Sequence, residues 1–303
     1  AHVALLDDPD APQYRALGLH ASHEGEGTPV KGDLMTFAHI AAEALEPRAR
    51  AGFRGRALLG IIKADVDRLG EVVGRGLGED RSPARIAQLS RLIDSYFARR
   101  LPWLLQREFP ASYTVYAGGD DLLLISPWRS AVPLAVRLRE DFRSFAGGNP
   151  NLSLSAGVAF FHPHHPIALA VAEAEVMLER AKHGGRDRLG LFDRVLSWQQ
   201  AQATLQLAEE LHQAVADDTL PVTFLHRMRG FAAMRRQVET QEGRADPGWA
   251  AKWAYHRARF LDRARKEAKA LLEALLDRAV PPPAAASDAD PEIAMTIALW
   301  RNR

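Results

Sequence analysis

From Ala57 to Phe192 the hydrophobic positions follow two periods in turn, one suited to strands and one to helices. Leu58-Leu-Gly-Ile-Ile-Lys63-Ala-Asp65 is an apolar run of strand length that ends on a carboxylate. A helix is predicted from about Arg68 to Gly76, with Gly74, Gly76 and Gly78 breaking it. Ser82-Pro83 predicts the next helix start, Ser82 as cap and Pro83 in the first turn. Ile86, Leu89, Leu92, Ile93, Tyr96 and Phe97 keep a helical period behind it. Tyr113 to Ile125 is apolar on both sides of Gly118-Gly119-Asp120-Asp121, which predicts a β-hairpin with two carboxylates at its tip. Pro127 ends the hairpin, and Val132 to Phe145 is helical. Leu152 to Phe161 reads as a strand, Pro166 opens a helix to Lys182, Gly184-Gly185 stops it, and Leu189 to Phe192 is a short last strand. This order predicts an α+β domain, an antiparallel sheet with helices on one face.

The flanks read differently. Residues 1 to about 33 are rich in Asp, His, Gly and Pro; Val3–Leu6 and Tyr14–Leu19 suit short strands in a segment that cannot form its own core. Met35 to Leu45 has helical spacing with Asp33 as its cap, and Pro47 to Gly55 is a basic connection. After Asp193 the strand pattern vanishes. Residues 194–216, 222–241 and 248–279 read as helices, with Trp253, Phe260, Ala264, Ala268, Leu271 and Leu275 on one face of the last. Pro281 to Pro291 reads as a flexible tether, and Glu292 to Trp300 as a short amphipathic helix. The predicted division is therefore an N-terminal extension and linker (1–50), the α+β domain (51–193) and a helical C-terminal domain (194–303).

Composition narrows the class without choosing a function. The chain has 303 residues, 47% hydrophobic and 25% charged, with a formal net charge of +1. That is room for two domains and a real core, and the net charge argues neither for nor against nucleic acid. The absence of cysteine excludes disulfides and thiolate zinc sites and fits a reducing cytoplasm. No apolar run approaches the roughly 20 residues a bilayer crossing needs, so no membrane association is expected. The first residues lack the basic start and apolar segment of a secretion signal, and the chain opens on Ala1 rather than Met, as a fragment or a processed product would.

The candidate chemistry lies in carboxylates and cations. Hard divalent cations prefer oxygen ligands, and two or three carboxylates holding Mg²⁺ (or Mn²⁺) against a triphosphate is the arrangement for nucleotidyl transfer. If the strand ending at Asp65 lies beside the hairpin, Asp65 converges with Asp120 and Asp121. Asp65 and Asp120 are the expected metal ligands, and Asp121 is a further ligand or helps deprotonate an attacking hydroxyl. Gly118 and Gly119 leave room for a bulky ligand. Asp67 shares the side of Asp65 and is either a ligand or, the favoured reading, the cap of the helix starting near Arg68. Lys182 and Arg186, four positions apart across glycines, supply a point charge and a fork for phosphate oxygens, although basic residues also suit any helix C-terminus. His162-Pro-His164-His165 is read as solvated loop rather than a metal cluster. Residues 227–269 carry twelve Lys and Arg against five Asp and Glu, a solvated helical face or a surface for RNA phosphate.

Lys63-Ala-Asp65-Val-Asp67-Arg-Leu-Gly70, then Gly118-Gly-Asp-Asp121, Leu154-Ser-Ala-Gly-Val158 and Ala181-Lys182-x-x-Gly185-Arg186 resemble, in this order, the second palm domain of the large subunit of type III CRISPR effector complexes, of the Csm kind. The region after residue 193 resembles that subunit's C-terminal helical domain. The resemblance implies a ferredoxin-like, nucleotide-cyclase palm with Asp65, Asp120 and Asp121 on Mg²⁺, and Lys182 and Arg186 on the triphosphate of ATP. It implies cyclic oligoadenylate synthesis switched on by target RNA, with guide RNA and the other complex subunits as partners. The family's His-Asp nuclease domain, first palm and four-cysteine zinc site have no counterpart here, and its synthase site lies between two palms. Diguanylate cyclases share the palm and the Lys-x-x-Gly-Arg element, but their hairpin usually ends in Glu-Phe where this chain has Asp121-Leu122. A structural subunit with an idle palm is the other alternative; a self-repelling acid cluster speaks against it.

Overall fold

A computed structural model describes residues 1–21, 27–48, 52–76, 82–240, 246–283, 285 and 287–303. The chain divides into two compact units, Ala1–Trp198 and Gln199–Arg303. In the first, α1 (Pro12–Ala16), α2 (Phe37–Ala42) and a small ladder of β1 (Glu46–Pro47) and β2 (Phe53–Arg54) precede the main sheet. Then come β3 (Leu59–Val66), α3 (Leu69–Glu71), α4 (Pro83–Ser95), α5 (Leu101–Glu108), β4 (Tyr113–Gly118), β5 (Asp121–Pro127), α6 (Trp128–Phe145), β6 (Leu154–Phe161), α7 (Ile167–His183), β7 (Arg188–Leu191) and β8 (Arg194–Ser197). A π-helical turn, Val72–Gly76, follows α3, and a second, Tyr96–Arg100, joins α4 to α5. The expected break at Gly78 and part of the basic connection, residues 49–51, lie outside the described residues.

The sheet order is β4-β5-β3-β6-β7-β8. Its first four strands have the ferredoxin-like arrangement, and all pairs are antiparallel except β6 with β7. The sequence reading placed helices on one face; they lie on both. A Cβ added at Gly60 would meet Ala131 and Trp128 of α6, whereas one at Gly157 would meet Ala174 and Leu178 of α7. Gly157 pairs with Lys63, an odd number of residues from Gly60, and side chains alternate across a strand. α6 and α7 therefore cover opposite faces. On the α6 side, the buried Tyr96 packs edge-on to Phe142 and donates its hydroxyl to the Leu138 carbonyl.

The α7 side explains residues 1–45. Ala4, Leu6, Ala11, Tyr14, Met35 and Ile40 are buried in one cluster with Leu59, Ile61, Leu123 and Ile125 of the sheet and Ala170 and Ala174 of α7. The N-terminal segment borrows the domain's core instead of building its own. Tyr14 sits in α1 rather than in a strand, and Leu5 forms only an isolated bridge to Leu34. Thr36, not Asp33, caps α2 in a reciprocal capping box with His39; the Asp33 carboxylate accepts from the Val30 amide. Ser82 caps α4 as expected, accepting from the Arg85 amide.

Among the described residues the second unit is helical: α8 (Trp198–Ala216, whose first residue closes the first unit), α9 (Val222–Glu239), α10 (Trp249–Leu261), α11 (Lys266–Ala279) and α12 (Pro291–Arg301). Residues 194–197 pair as β8 in a hairpin instead of starting the helix, through left-handed Phe192 and Asp193. The long helix predicted over 248–279 is two helices. The reset at Asp262–Arg265 turns Leu272, Leu275 and Leu276 inward and leaves Leu271 74% exposed. Phe224 stacks on Phe260, and Phe231 packs at a tilt against Trp253. The predicted tether is held near its middle and at its C-terminal end. Arg235 donates to the Ala285 carbonyl, the Asp290 amide donates to Thr204, and the Asp290 carboxylate caps α12. Residues 284 and 286 lie outside the described residues. α12 is apolar around most of its girth and buried through Ile293, Met295, Ile297 and Leu299. Much of the basic run is paired inside this unit, Arg235 with Glu239, Arg236 with Glu292, Lys252 with Asp246, and Arg257 with Glu273 and Asp277. Among the described residues no helix is long and apolar enough to cross a membrane.

Gly157→Ala tests the seating of α7. The new Cβ would lie 2.1 Å from the Ala174 carbonyl and 2.3 Å from the Leu178 nitrogen, both backbone. The expected loss, read from urea unfolding, is about 1–3 kcal/mol, as for other overpacked cores.

Candidate active site

β3 carries its side chains in two rows, and Leu59, Ile61, Lys63 and Asp65 share the row facing α7. At the rim Asp65 stands opposite Asp121 of β5 and Ser155 of β6. Directly paired antiparallel residues have Cα atoms about 4.5–5.5 Å apart and point to one face. Acids distant along the chain thus meet on one side of one rim. The turn between β4 and β5 is Gly119-Asp120, with Gly119 at φ 68, the two-residue geometry that wants glycine first. The Val66 amide donates to the Asp120 carbonyl at 2.8 Å and ties the tip to β3. Space is open above Gly118 and Gly119, and the Gly119 amide faces Asp94 Oδ1 at 3.4 Å.

The C-terminal end of α7 delivers the cation. Lys182 Nζ donates to Asp65 Oδ2 at 2.7 Å and lies 3.2 Å from Glu179. One turn back, Glu175 pairs with Lys63, and Tyr116 donates its hydroxyl to Asp121 Oδ2 at 3.2 Å. Lys63, Tyr116, Glu175 and Glu179 escaped the sequence reading. A lysine two positions before Asp65 in an otherwise apolar strand was the available signal, because i and i+2 share a side.

Burial, with the charges of Asp120 and Asp67, pushes the Asp65 carboxyl above its ordinary range, against the pull of Lys182. Burial pulls the Lys182 ammonium down, but its bonds to Asp65 and Glu179 prevail and hold it high. A carboxylate whose charge is disfavoured by burial and by acid neighbours has a donor set that gains from a divalent cation. Among the described residues no three His, Asp or Glu side chains gather into a metal cage. Mg²⁺ usually takes one or two carboxylates plus substrate phosphates rather than an all-protein cage; Asp65, opposite Asp121 and under the charge of Asp120, offers carboxylates of the kind that ion takes.

Asp67 does not cap α3: Arg68 occupies that position, with φ 55 and no side-chain cap bond. Asp67 is 3% exposed and accepts from Ser153 Oγ and Ser155 Oγ, each at 2.7 Å, and from the Asp187 amide at 3.0 Å. Arg186 lines a cleft of about 500 Å³ with Asp67, Arg68, Asn151 and Ser153. His165 stacks on Phe161.

The family described as Cas10/Cmr2, second palm domain, matches residues 58–190. A CRISPR single-strand-specific deoxyribonuclease Cas10/Csm1 (subtype III-A) of Methanocaldococcus jannaschii is 37% identical over 161 residues, covering 50% of this chain and 19% of that one. The protein of the same description from Mycobacterium tuberculosis is 28% identical over 229 residues, 70% of this chain and 27% of that one. The chain thus spans about a fifth to a quarter of the length of these relatives. The Csm1–Csm4 cassette in complex with one ATP superposes with TM-score 0.66 at 22% identity, over 90% of this chain and 39% of that one. Csm1 of T. onnurineus gives 0.65 at 21%, over 94% and 44%. At such identity the likeness is one of fold.

Lys182→Met isolates the ion pair. With its folded pKa raised, the stability Asp65 contributes is complete below the unfolded carboxylate range and is lost as pH rises through the folded value. Removing the cation raises the folded value further. The carboxyl ¹³C titration of Asp65 is therefore expected to move to higher pH. The stability gap to wild type should be wide near about pH 7 and narrow below about pH 3.5, under the ordinary Asp value.

Proposed function

We propose that this chain is the nucleotidyltransferase palm of a type III CRISPR RNA-guided complex, joining ATP units into cyclic oligoadenylates when target RNA binds; the match of residues 58–190 to the Cas10/Cmr2 second palm domain supports it. The observation that carries this reading is the meeting of Asp65 with Asp121 across β3 and β5 and with Lys182 from α7. Complexes of the related Csm1–Csm4 cassette with ATP, pppApA and cA4 support adenine as the base and a Csm4-type subunit as a partner. Guide and target RNA belong to the same proposal.

Asp65 and Asp120 would hold Mg²⁺, which when bound neutralises phosphate charge and acidifies a nearby hydroxyl. The chain's own residues do the rest. Lys182 gives a point charge and Arg186 a planar fork to the triphosphate oxygens, which fixes the α-phosphorus in line for a 3′-hydroxyl. The bare backbone of Gly118 and Gly119 lets the nucleotide lie against the hairpin. Asp121, oriented by the Tyr116 hydroxyl, accepts the hydroxyl proton or completes the ligand set. Bond formation from the 3′-oxygen to the α-phosphorus expels pyrophosphate, and ring closure repeats the step within one chain.

Asp120→Ala combined with Asp121→Ala, placed in the assembled complex, should leave assembly unchanged and lower product from ATP to background, read by chromatography and mass spectrometry. ATP and GTP are supplied separately. A cyclic dinucleotide made from GTP alone would move the protein to the diguanylate cyclases. No product from either, with wild-type residues and bound target RNA, would leave a structural subunit.

A further inference from the structure

The segment that follows α7 turns the chain into β7 through left-handed backbone at residues that carry a Cβ. Gly185 has φ 124, and Arg186 and Asp187 continue at φ 62 and 47. Residues with a Cβ adopt left-handed backbone rarely, and a consecutive pair persists only where the surroundings over-determine it. Two groups from different elements do so here, and both act on Asp187. The Asp67 carboxylate, beyond the end of β3, takes the Asp187 amide at 3.0 Å. From α6, Arg139 Nε and Nη2 donate to Asp187 Oδ1 and Oδ2 at 3.0 and 2.7 Å, a two-pronged grip. Asp67 is itself fixed, buried and bonded to Ser153 and Ser155 of the β6 edge.

We infer that Asp67 and Arg139 are positioning residues that clamp Asp187 and thereby hold Arg186 in its left-handed backbone, aimed at the triphosphate. The inference rests on the nucleotide reading above and adds residues to it. Asp67 is occupied by Ser153, Ser155 and the Asp187 amide, and Arg139 by Asp187. Each works through the residue next to the one it grips. The second Asp of Asp-x-Asp is then neither metal ligand nor helix cap. It is the anchor of the Lys182-to-Arg186 element, two residues along the chain from Asp65.

The test is a thermodynamic cycle on the full chain, with ATP binding followed by calorimetry. Arg186→Ala should weaken ATP about tenfold, the loss of one charge-assisted fork. Arg139→Met should weaken it about fivefold alone and less than about twofold in the Arg186→Ala background, because coupled residues are non-additive. Asp67→Asn should behave like Arg139→Met. Should the asparagine variant misfold, the Arg139 arm alone decides, since it removes no buried carboxylate. Losses that add fully in the double variant assign Arg139 a general structural role and overturn the clamp. ATP binding untouched by Arg139→Met, with Arg186→Ala still weakened, also overturns the clamp while the nucleotide reading stands. Wild-type chain that fails to bind ATP takes down that reading and the clamp with it.

Discussion

Lys182 reaches Asp65 because α7 lies directly on the backbone of the sheet. Any side chain at Gly157 or Gly190 would stand between them: a Cβ at Gly190 would be 2.0 Å from the Met177 carbonyl. Two glycines on neighbouring strands, β6 and β7, thus set the height of the helix. A helix packed through ordinary side chains sits farther off. At the height the glycines allow, a lysine in the last turn meets a carboxylate at the strand end at 2.7 Å. The same seat puts Ala170 and Ala174 into the core that the N-terminal segment completes. Stability and site geometry therefore share one requirement, and neither can be altered without the other.

What could be read from residues alone followed the range of the interaction. The Asp65 strand, the Gly-Gly-Asp-Asp turn and the Ser82 cap are local, and each is written in a few neighbouring residues. The convergence of Asp65 with the hairpin needed only strand adjacency, and the register supplies it. The missed features depend on distant partners. Asp67 looks like a helix cap until Ser153, Ser155 and Asp187 are brought to it from 86, 88 and 120 positions away. Residues 1 to about 33 look coreless until the α7 face of the sheet is placed beneath Ala4, Leu6, Ala11 and Tyr14. Asp33 and Thr36 are both good caps by type, and the choice fell to Thr36 because His39 can return the bond. Phe192-Asp193 makes a left-handed two-residue turn without the glycine or asparagine that usually announces one.

The rim is electrostatically unfinished, and that follows from its position. Farther back the charges are matched, Lys63 with Glu175 and Arg100 with Asp141. At the edge, Asp65 has one cation and two acidic neighbours, and its charged form is disfavoured. A protein selected for stability alone would have an apolar or amide residue at such a spot. Keeping the acids costs stability in the free chain, and a bound cation with phosphates offsets that cost.

The loop after α7 also decides how a phosphate can be held. Runs of left-handed residues often form a backbone nest whose free amides bind anions. Here the amides are already used: Gly184 donates to Arg180, Gly185 to Lys182, Arg186 to Ala181, and Asp187 to Asp67. The backbone of this turn has no amide left to offer, so it is not a nest despite its dihedral angles. Recognition then falls to side chains, whose reach and direction depend on where the turn holds their Cα atoms. That is why a buried carboxylate and a two-pronged arginine are spent on Asp187, a residue with no partner role of its own at the rim. The clamp on Asp187 fixes where the Cα of Arg186 sits, and the acceptors found by each amide from Gly184 to Asp187 keep the strained form from relaxing toward a nest.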